Sequence, residues 1–169
     1  MEYRDLIRQR CSVRRFRPDP VPEALQNEVL EAARAAPSAA NRQPFRLIVI
    51  RTEGRKAELE RIYGRPWFAE APLIVCAAAV PSEAWTHTDG TNYAWVDTAI
   101  AMDHLILAAA NEGLGTCWVA AFDRAAAREV LGLPDGVEPV AFTPLGYPDE
   151  PPGKKVRKPV NELVKFDRW

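Results

Sequence analysis

The stretch 93–112, reading YAWVDTAIAMDHLILAAANE, narrows what this chain can fold into more than any other feature. Its spacing predicts a helix roughly 30 Å long at about 1.5 Å per residue, and Gly113 is placed to end it. The run is apolar nearly all round rather than along one stripe. A helix of that kind has to be covered on several sides, so it belongs either at the centre of a domain or at a subunit interface. Asp103 and His104 break its apolar stretch, which is too short to cross a bilayer, and no membrane span is expected.

Around this helix the remaining elements follow from period and punctuation. A first helix is predicted over about Tyr3–Gln9. A second opens at Pro22, repeats Leu25, Val29, Ala32, Ala33 and Ala36 at helical spacing, and stops at Pro37. Residues 45–50 (FRLIVI) and 73–80 (LIVCAAAV) are continuous apolar runs, the pattern of strands covered on both faces. Between them, 54–63 predicts a surface helix and 65–71 a Pro-bounded link carrying Trp67 and Phe68. After the long helix come a strand-like segment 116–121, a short helix 123–131 with Asp123 as N-cap, and a strand 139–145. From Tyr147 the chain turns rich in Pro, Gly and Lys (YPDEPPGKKVRKP) and is too poor in apolar residues to form a core of its own. It either hangs free or lies across something larger. With 169 residues, 47% of them hydrophobic, no internal repeat and no interior boundary, one domain is expected, 1–169, with 147–169 as its C-terminal tail.

Composition excludes several functions. A formal charge of −1 leaves no overall cationic field for nucleic acid or anionic lipid, so neither is expected as a partner. The basic residues are nonetheless uneven, with Arg4, Arg8, Arg10, Arg14, Arg15 and Arg17 crowded into the first seventeen positions. Cys11, Cys76 and Cys117 form no C-x-x-C pair, which argues against a disulfide framework or a zinc cage and fits a reducing cytoplasm. Residues 1–10 carry Glu2 and Asp5 and no apolar core, unlike a secretory or transit segment. The two histidines, His87 in a polar loop and His104 in the apolar helix, do not cluster with cysteine at ligand spacing, so no metal is expected. A G-x-S-x-G elbow, a Walker A loop and a G-x-G-x-x-G turn are all missing, and any chemistry is best borrowed from a cofactor.

Four short motifs remain. Residues 10–16 (RCSVRRF) place two guanidinium groups four residues apart, able to converge on one anionic ligand; taken alone, the motif reads more readily as a solvated basic surface. Lys154, Lys155, Arg157 and Lys158 form a second basic cluster open to the same plain reading. Residues 36–45 (APSAANRQPF) join a helix to a strand and offer Ser, Asn and Gln as donors and acceptors, or simply make a turn. In 113–122 (GLGTCWVAAF) the glycines permit close backbone approach and the small residues would let a flat ring lie against the main chain; a helix cap followed by a strand start is the alternative.

Taken in order along the chain, these four resemble the nitroreductase family of FMN-dependent enzymes, over about Leu6 to Val164. The resemblance implies an α+β, nitroreductase-like three-layer sandwich: a mixed central sheet flanked by helices, paired into a homodimer around the long central helix, with FMN at the interface. It implies that Arg10, Cys11, Ser12 and Arg14 hold the flavin, and that Lys155 and Arg157 close on its phosphate. Pro37, Ser38 and Asn41 would reach it from the partner subunit, and the backbone amides of Ala120 and Ala121 would face its N5 edge. No catalytic acid or base is implied. Hydride would pass from NADH or NADPH through the flavin to a small electron-poor acceptor, a nitroaromatic, quinone or activated alkene, by a ping-pong mechanism, with Arg14 as the cation near N1. A flavin-binding or regulatory module with little turnover, and a dehalogenase or oxidative flavin enzyme on the same fold, are the alternatives. The chain lacks the longer helical insertion of larger members, so Trp67, Phe68 and Trp85 become candidate walls of the acceptor pocket, or equally core or dimer packing.

Overall fold

The computed structural model describes residues 2–169; Met1, the first residue of the N-terminal segment weighed above, lies outside them. In chain order the elements are α1 (Tyr3–Gln9), α2 (Glu23–Arg34), β1 (Phe45–Arg51), α3 (Lys56–Ile62), β2 (Leu73–Ala79), α4 (Ala94–Asn111), β3 (Gly115–Thr116), α5 (Arg124–Leu131), β4 (Glu138–Gly146) and α6 (Val160–Leu163).

Every residue of β2 is buried, because its alternating side chains enter two different cores. Leu73, Val75 and Ala77 pack with Val29 and Ala33 of α2 and with Met102, Leu105 and Ala109 of α4. Ile74 and Cys76 point the other way, into a cluster with Leu59 and Ile62 of α3, Ala127 of α5, Phe68 and Phe142. Helices on both faces of one sheet make the three layers, and the fold is α+β. Burial on this second face pushes the Cys76 thiol up to about 12, which makes it an inert apolar filler at neutral pH.

The strands lie in the order β1-β2-β4-β3, and every strand pair is antiparallel. An isolated parallel bridge, Ser12 with Thr116, makes the hydrogen bonding mixed at the β3 edge. Two expectations need correction. Strand β1 is an edge strand with a half-exposed pattern, and Val49 is 37% exposed, so its apolar run did not signal cover on both faces. The 116–121 segment forms a strand only at its start. Its register runs on, since Val119 and Phe142 exchange both backbone bonds at 2.8 and 2.9 Å. The intervening ladder fails because Pro144 has no N–H to give, and the Cys117 N–H turns instead to Thr143 Oγ1 at 3.0 Å.

The long helix is covered within the chain on one side only. Ala94, Asp97, Thr98, Ala101, Met102, Leu105, Ile106 and Ala109 are buried. Trp95, Val96, Ala99, Ile100, Asp103 and His104 line an open groove on its other side. Gly113, at φ +75°, takes the left-handed turn that ends the helix. The N-cap of α5 is as read from sequence, with Asp123 accepting the Ala126 N–H at 2.9 Å. Beyond Tyr147 the chain is largely exposed, including Val160, Leu163, Phe166 and Trp169. Among the described residues no helix is long and apolar enough to cross a membrane, and no group of three His, Cys, Asp or Glu side chains could hold a metal ion.

Candidate functional site

The register gives the sheet two distinct ends. Arg51, Leu73, Leu145 and Thr116 align at one; Phe45, Ala79 and Glu138 align at the other. Seven residues of β1 at about 3.3 Å per residue separate these ends by roughly 20 Å.

At the Thr116 end the arginine-rich segment runs as an extended arm. The Val13 N–H donates to Thr116 O at 2.8 Å, Arg17 N–H to Tyr147 O at 2.9 Å, and Asp149 N–H to Arg15 O at 2.9 Å. The Arg14 N–H donates to Glu150 Oε1 at 2.5 Å. Val13 and Phe16 turn into the protein, which leaves Arg14 and Arg15 outside. The arm can approach because residue 115 is glycine: a Cβ there would sit 2.9 Å from Val13 Cβ. The close approach that this glycine permits is thus used by Val13 of the arm.

The same pairing carries the start of the tail alongside the arm, so the two basic clusters meet. Arg10, Cys11, Ser12 and Arg14 from the arm and Lys154, Lys155 and Arg157 from the tail line one cavity of about 250 Å³. Arg10, Arg14, Lys155 and Arg157 make no ion pair among the described residues, whereas Arg17, Arg34, Arg46, Arg55, Arg61 and Arg128 each have a carboxylate partner. Lys155 Nζ donates to Ile7 O at 3.0 Å and Arg10 O at 2.9 Å, which caps the C-terminal carbonyls of α1 and fastens the tail to it. Spacing alone gave no hint of that second use. Desolvation, with the Arg10 and Arg157 charges beside it, pulls the Lys155 ammonium below its ordinary pKa. Burial pushes the Cys117 thiol up, against the opposing pull of Arg14 and of a Ser12 hydrogen bond, so the group behind the arm is a neutral thiol. The Arg14 guanidinium lies 5.9 Å over the Trp67 ring, which is itself edge-on to Tyr63 at 5.6 Å. An anion, above all a phosphate, fits this concentration of cations without a carboxylate partner among the described residues.

At the Phe45 end, residues 38–43 form a strained turn in which Ala40, Asn41 and Gln43 all have positive φ, +50°, +54° and +51°. Ser38 Oγ accepts the Gln43 N–H at 2.9 Å, and Gln43 Nε2 donates to Asn41 Oδ1 at 3.1 Å. Pro37 leads in from α2, and the Ala39 N–H donates to Asp97 Oδ1 at 3.0 Å. One chain therefore keeps Ser38 and Asn41 at the opposite end of the sheet from Arg10 and Arg14. Ala120 and Ala121 are exposed, between the Val119 bridge and the Asp123 cap.

The three proposed aromatic walls do not form one pocket within the chain. Phe68 is 0% exposed and packs edge-on against Phe142 at 5.9 Å, so it belongs to the core. Trp67 stands beside the cationic cavity. Trp85 lies past the Ala79 end, edge-on to Tyr93 at 5.0 Å and His87 at 5.6 Å within its own loop.

Comparison with known proteins places this architecture. The chain superimposes on a nitroreductase family protein from Clostridium difficile 630 with TM-score 0.90 and 32% identity, covering 100% of both chains. A nitroreductase family protein from Clostridium novyi NT gives TM-score 0.81 and 33% identity over 89% of this chain and 87% of that one. An NADH dehydrogenase of Thermus thermophilus is 33% identical over 92% of this chain and 91% of its own. Fold and relatives together define an oxidoreductase of the nitroreductase type. The family model described as Nitroreductase family matches residues 7–67 and 62–147, and the chain belongs to the nitroreductase family.

Proposed function

We propose that the chain is an FMN-dependent oxidoreductase that takes hydride from NADH or NADPH and passes it to small electron-poor acceptors such as nitroaromatics, quinones or activated alkenes. The observation that carries this reading is the cavity where unpaired cations from both ends of the chain converge. Arg10, Ser12, Arg157 and the remaining hydrogen of Lys155 are the groups suited to a flavin phosphate and ribityl chain, with Cys11 beside them. Arg14, held over Trp67, is the cation suited to the pyrimidine edge, where it would favour the anionic reduced ring. When bound, FMN would supply the chemistry, accepting hydride at N5 and returning it to the second substrate. No side chain is assigned as acid or base.

The protein's own part is to orient and to exclude water. The exposed backbone of Ala120 and Ala121 would offer N–H donors to the N5 edge. Pro37, Ser38 and Asn41 would complete the site from a second copy of the chain, because the sheet holds them away from the cradle of their own. The open apolar groove on α4 is the surface suited to that pairing. In this reading residues 1–169 act as one domain, and the tail 147–169 closes on the flavin phosphate and reaches the partner.

The deciding experiment compares FMN with riboflavin, which lacks the phosphate. Purified protein is expected to be yellow, to retain FMN far better than riboflavin, and to oxidise NADH or NADPH when an acceptor is added. Equal affinity for the two flavins would remove the cradle from the reading, and a protein that takes up neither would end it.

A further inference from the structure

Asp97, in the first turn of α4, is a buried group that nothing above explains. It is 1% exposed; its Oδ1 accepts the Ala39 N–H, and its Oδ2 is buried without a donor among the described residues. A carboxylate removed from water with one oxygen unpaired is costly, and such a group persists where the bond it does make holds something that would otherwise relax.

The segment it holds is the turn 38–43. Left-handed backbone at Ala40 and Gln43 is uphill for residues with a Cβ, and Asn41 between them tolerates it better. The Ser38–Gln43 and Gln43–Asn41 bonds close the turn on itself but tie it to nothing else. The bond from Ala39 to Asp97 reaches across to the long helix and sets where the turn sits relative to the body.

We propose that Asp97 is a positioning residue: by accepting the Ala39 N–H it holds residues 38–43 in the left-handed path that presents Ser38 and Asn41 to a flavin bound in the cradle of a second copy of the chain. The inference rests on the FMN reading above and adds to it that each protomer's Asp97 serves its partner's flavin, not its own.

That difference can be measured with mixed dimers. Asp97→Ala alone is expected to raise the flavin Kd roughly tenfold, the scale of one lost hydrogen bond. Asp97→Asn, which keeps an acceptor oxygen facing Ala39, is expected to restore most of the affinity and the visible circular dichroism of the bound flavin. Asp97→Ala is then co-expressed with Arg14→Ala under a second tag, and the mixed dimer is isolated by both tags. If Asp97 acts on the partner's site, one of the two sites has an intact cradle and an intact turn, and the mixed dimer binds one flavin with wild-type affinity. If Asp97 acts in its own protomer, neither site is intact and no tight flavin is recovered, which overturns the proposal. Should Asp97→Ala fail to fold, Ala39→Pro removes the same bond from the donor side and replaces it in the mixed dimer. Wild-type affinity in the single Asp97→Ala variant also overturns the proposal. A wild-type protein that binds no flavin overturns the FMN reading itself, so the two failures are told apart.

Discussion

At one end of the sheet this protein gathers positive charge and leaves it unpaired; at the other it gathers strained backbone and ties it down. The Thr116 end is built from two exposed segments joined by main-chain bonds, and its cations stand close together without a carboxylate partner among the described residues. The Phe45 end has a short turn held by a buried carboxylate, with its shape complete in the free chain. The first is electrostatically unfinished, and the second is preorganised. A site assembled from both would draw affinity from charge at one end and orientation from geometry at the other.

Four substitutions or conditions would break or sharpen that contrast. The largest effect is expected from Arg14→Ala, which removes a cation and its contact with the Trp67 ring. Flavin Kd should rise roughly 30- to 100-fold, corresponding to about 2–3 kcal/mol, while stability without flavin should shift by under about 0.5 kcal/mol. Flavin titration together with urea denaturation separates the two numbers, and a large loss of stability would mean that the arm needs this side chain to fold.

Next in size is Gly115→Ala, which drives a methyl group into Val13. Overpacking of this kind costs about 1–3 kcal/mol, and because it displaces the arm it should weaken flavin retention as well. Denaturant midpoints should show it, and adding Val13→Ala should recover little of the loss, because alanine keeps the Cβ that the new methyl meets.

A smaller change of opposite sign is expected from Ala40→Gly. Releasing a left-handed alanine should stabilise the folded chain by roughly 0.5–1 kcal/mol once the glycine's greater unfolded-state freedom is set against it. If flavin affinity falls while stability rises, the strain at that end serves orientation; if both rise, it does not.

The smallest effect concerns pH. Lys155 has a folded pKa below its ordinary 10.5, so the unfolded chain binds more protons in the window just beneath that value. Its contribution to stability therefore grows as pH rises through that window and is absent well below it. Phosphate bound in the cradle should offset the Arg10 and Arg157 repulsion and flatten this rise. Thermal melts in phosphate and in chloride at matched ionic strength test it, and identical slopes would place the anion elsewhere.

Much of this fold is legible in the sequence. The apolar run 93–112, the capping Asp123 and the buried run 73–80 depend on neighbours a few residues away, and each reappears within a residue or two in α4, α5 and β2. The edge position of β1 was not readable, since FRLIVI looks the same with one neighbouring strand or two. Phe68 gave no sign that it faces Phe142 and not a pocket. Asp97 is one polar residue in an apolar helix, and only the fold brings it to the Ala39 N–H fifty-eight positions away.

Sequence by itself determined where helices and strands begin, which charges cluster, and that motifs from both ends of the chain belong to one family. Tertiary structure alone decided that the two basic clusters share a cavity, that Lys155 also caps α1, and that the turn 38–43 lies at the far end of the sheet. The division has a physical cause. Local propensity acts through bonds a few residues long, whereas register and burial are set by whichever distant segments can pack together at lowest free energy.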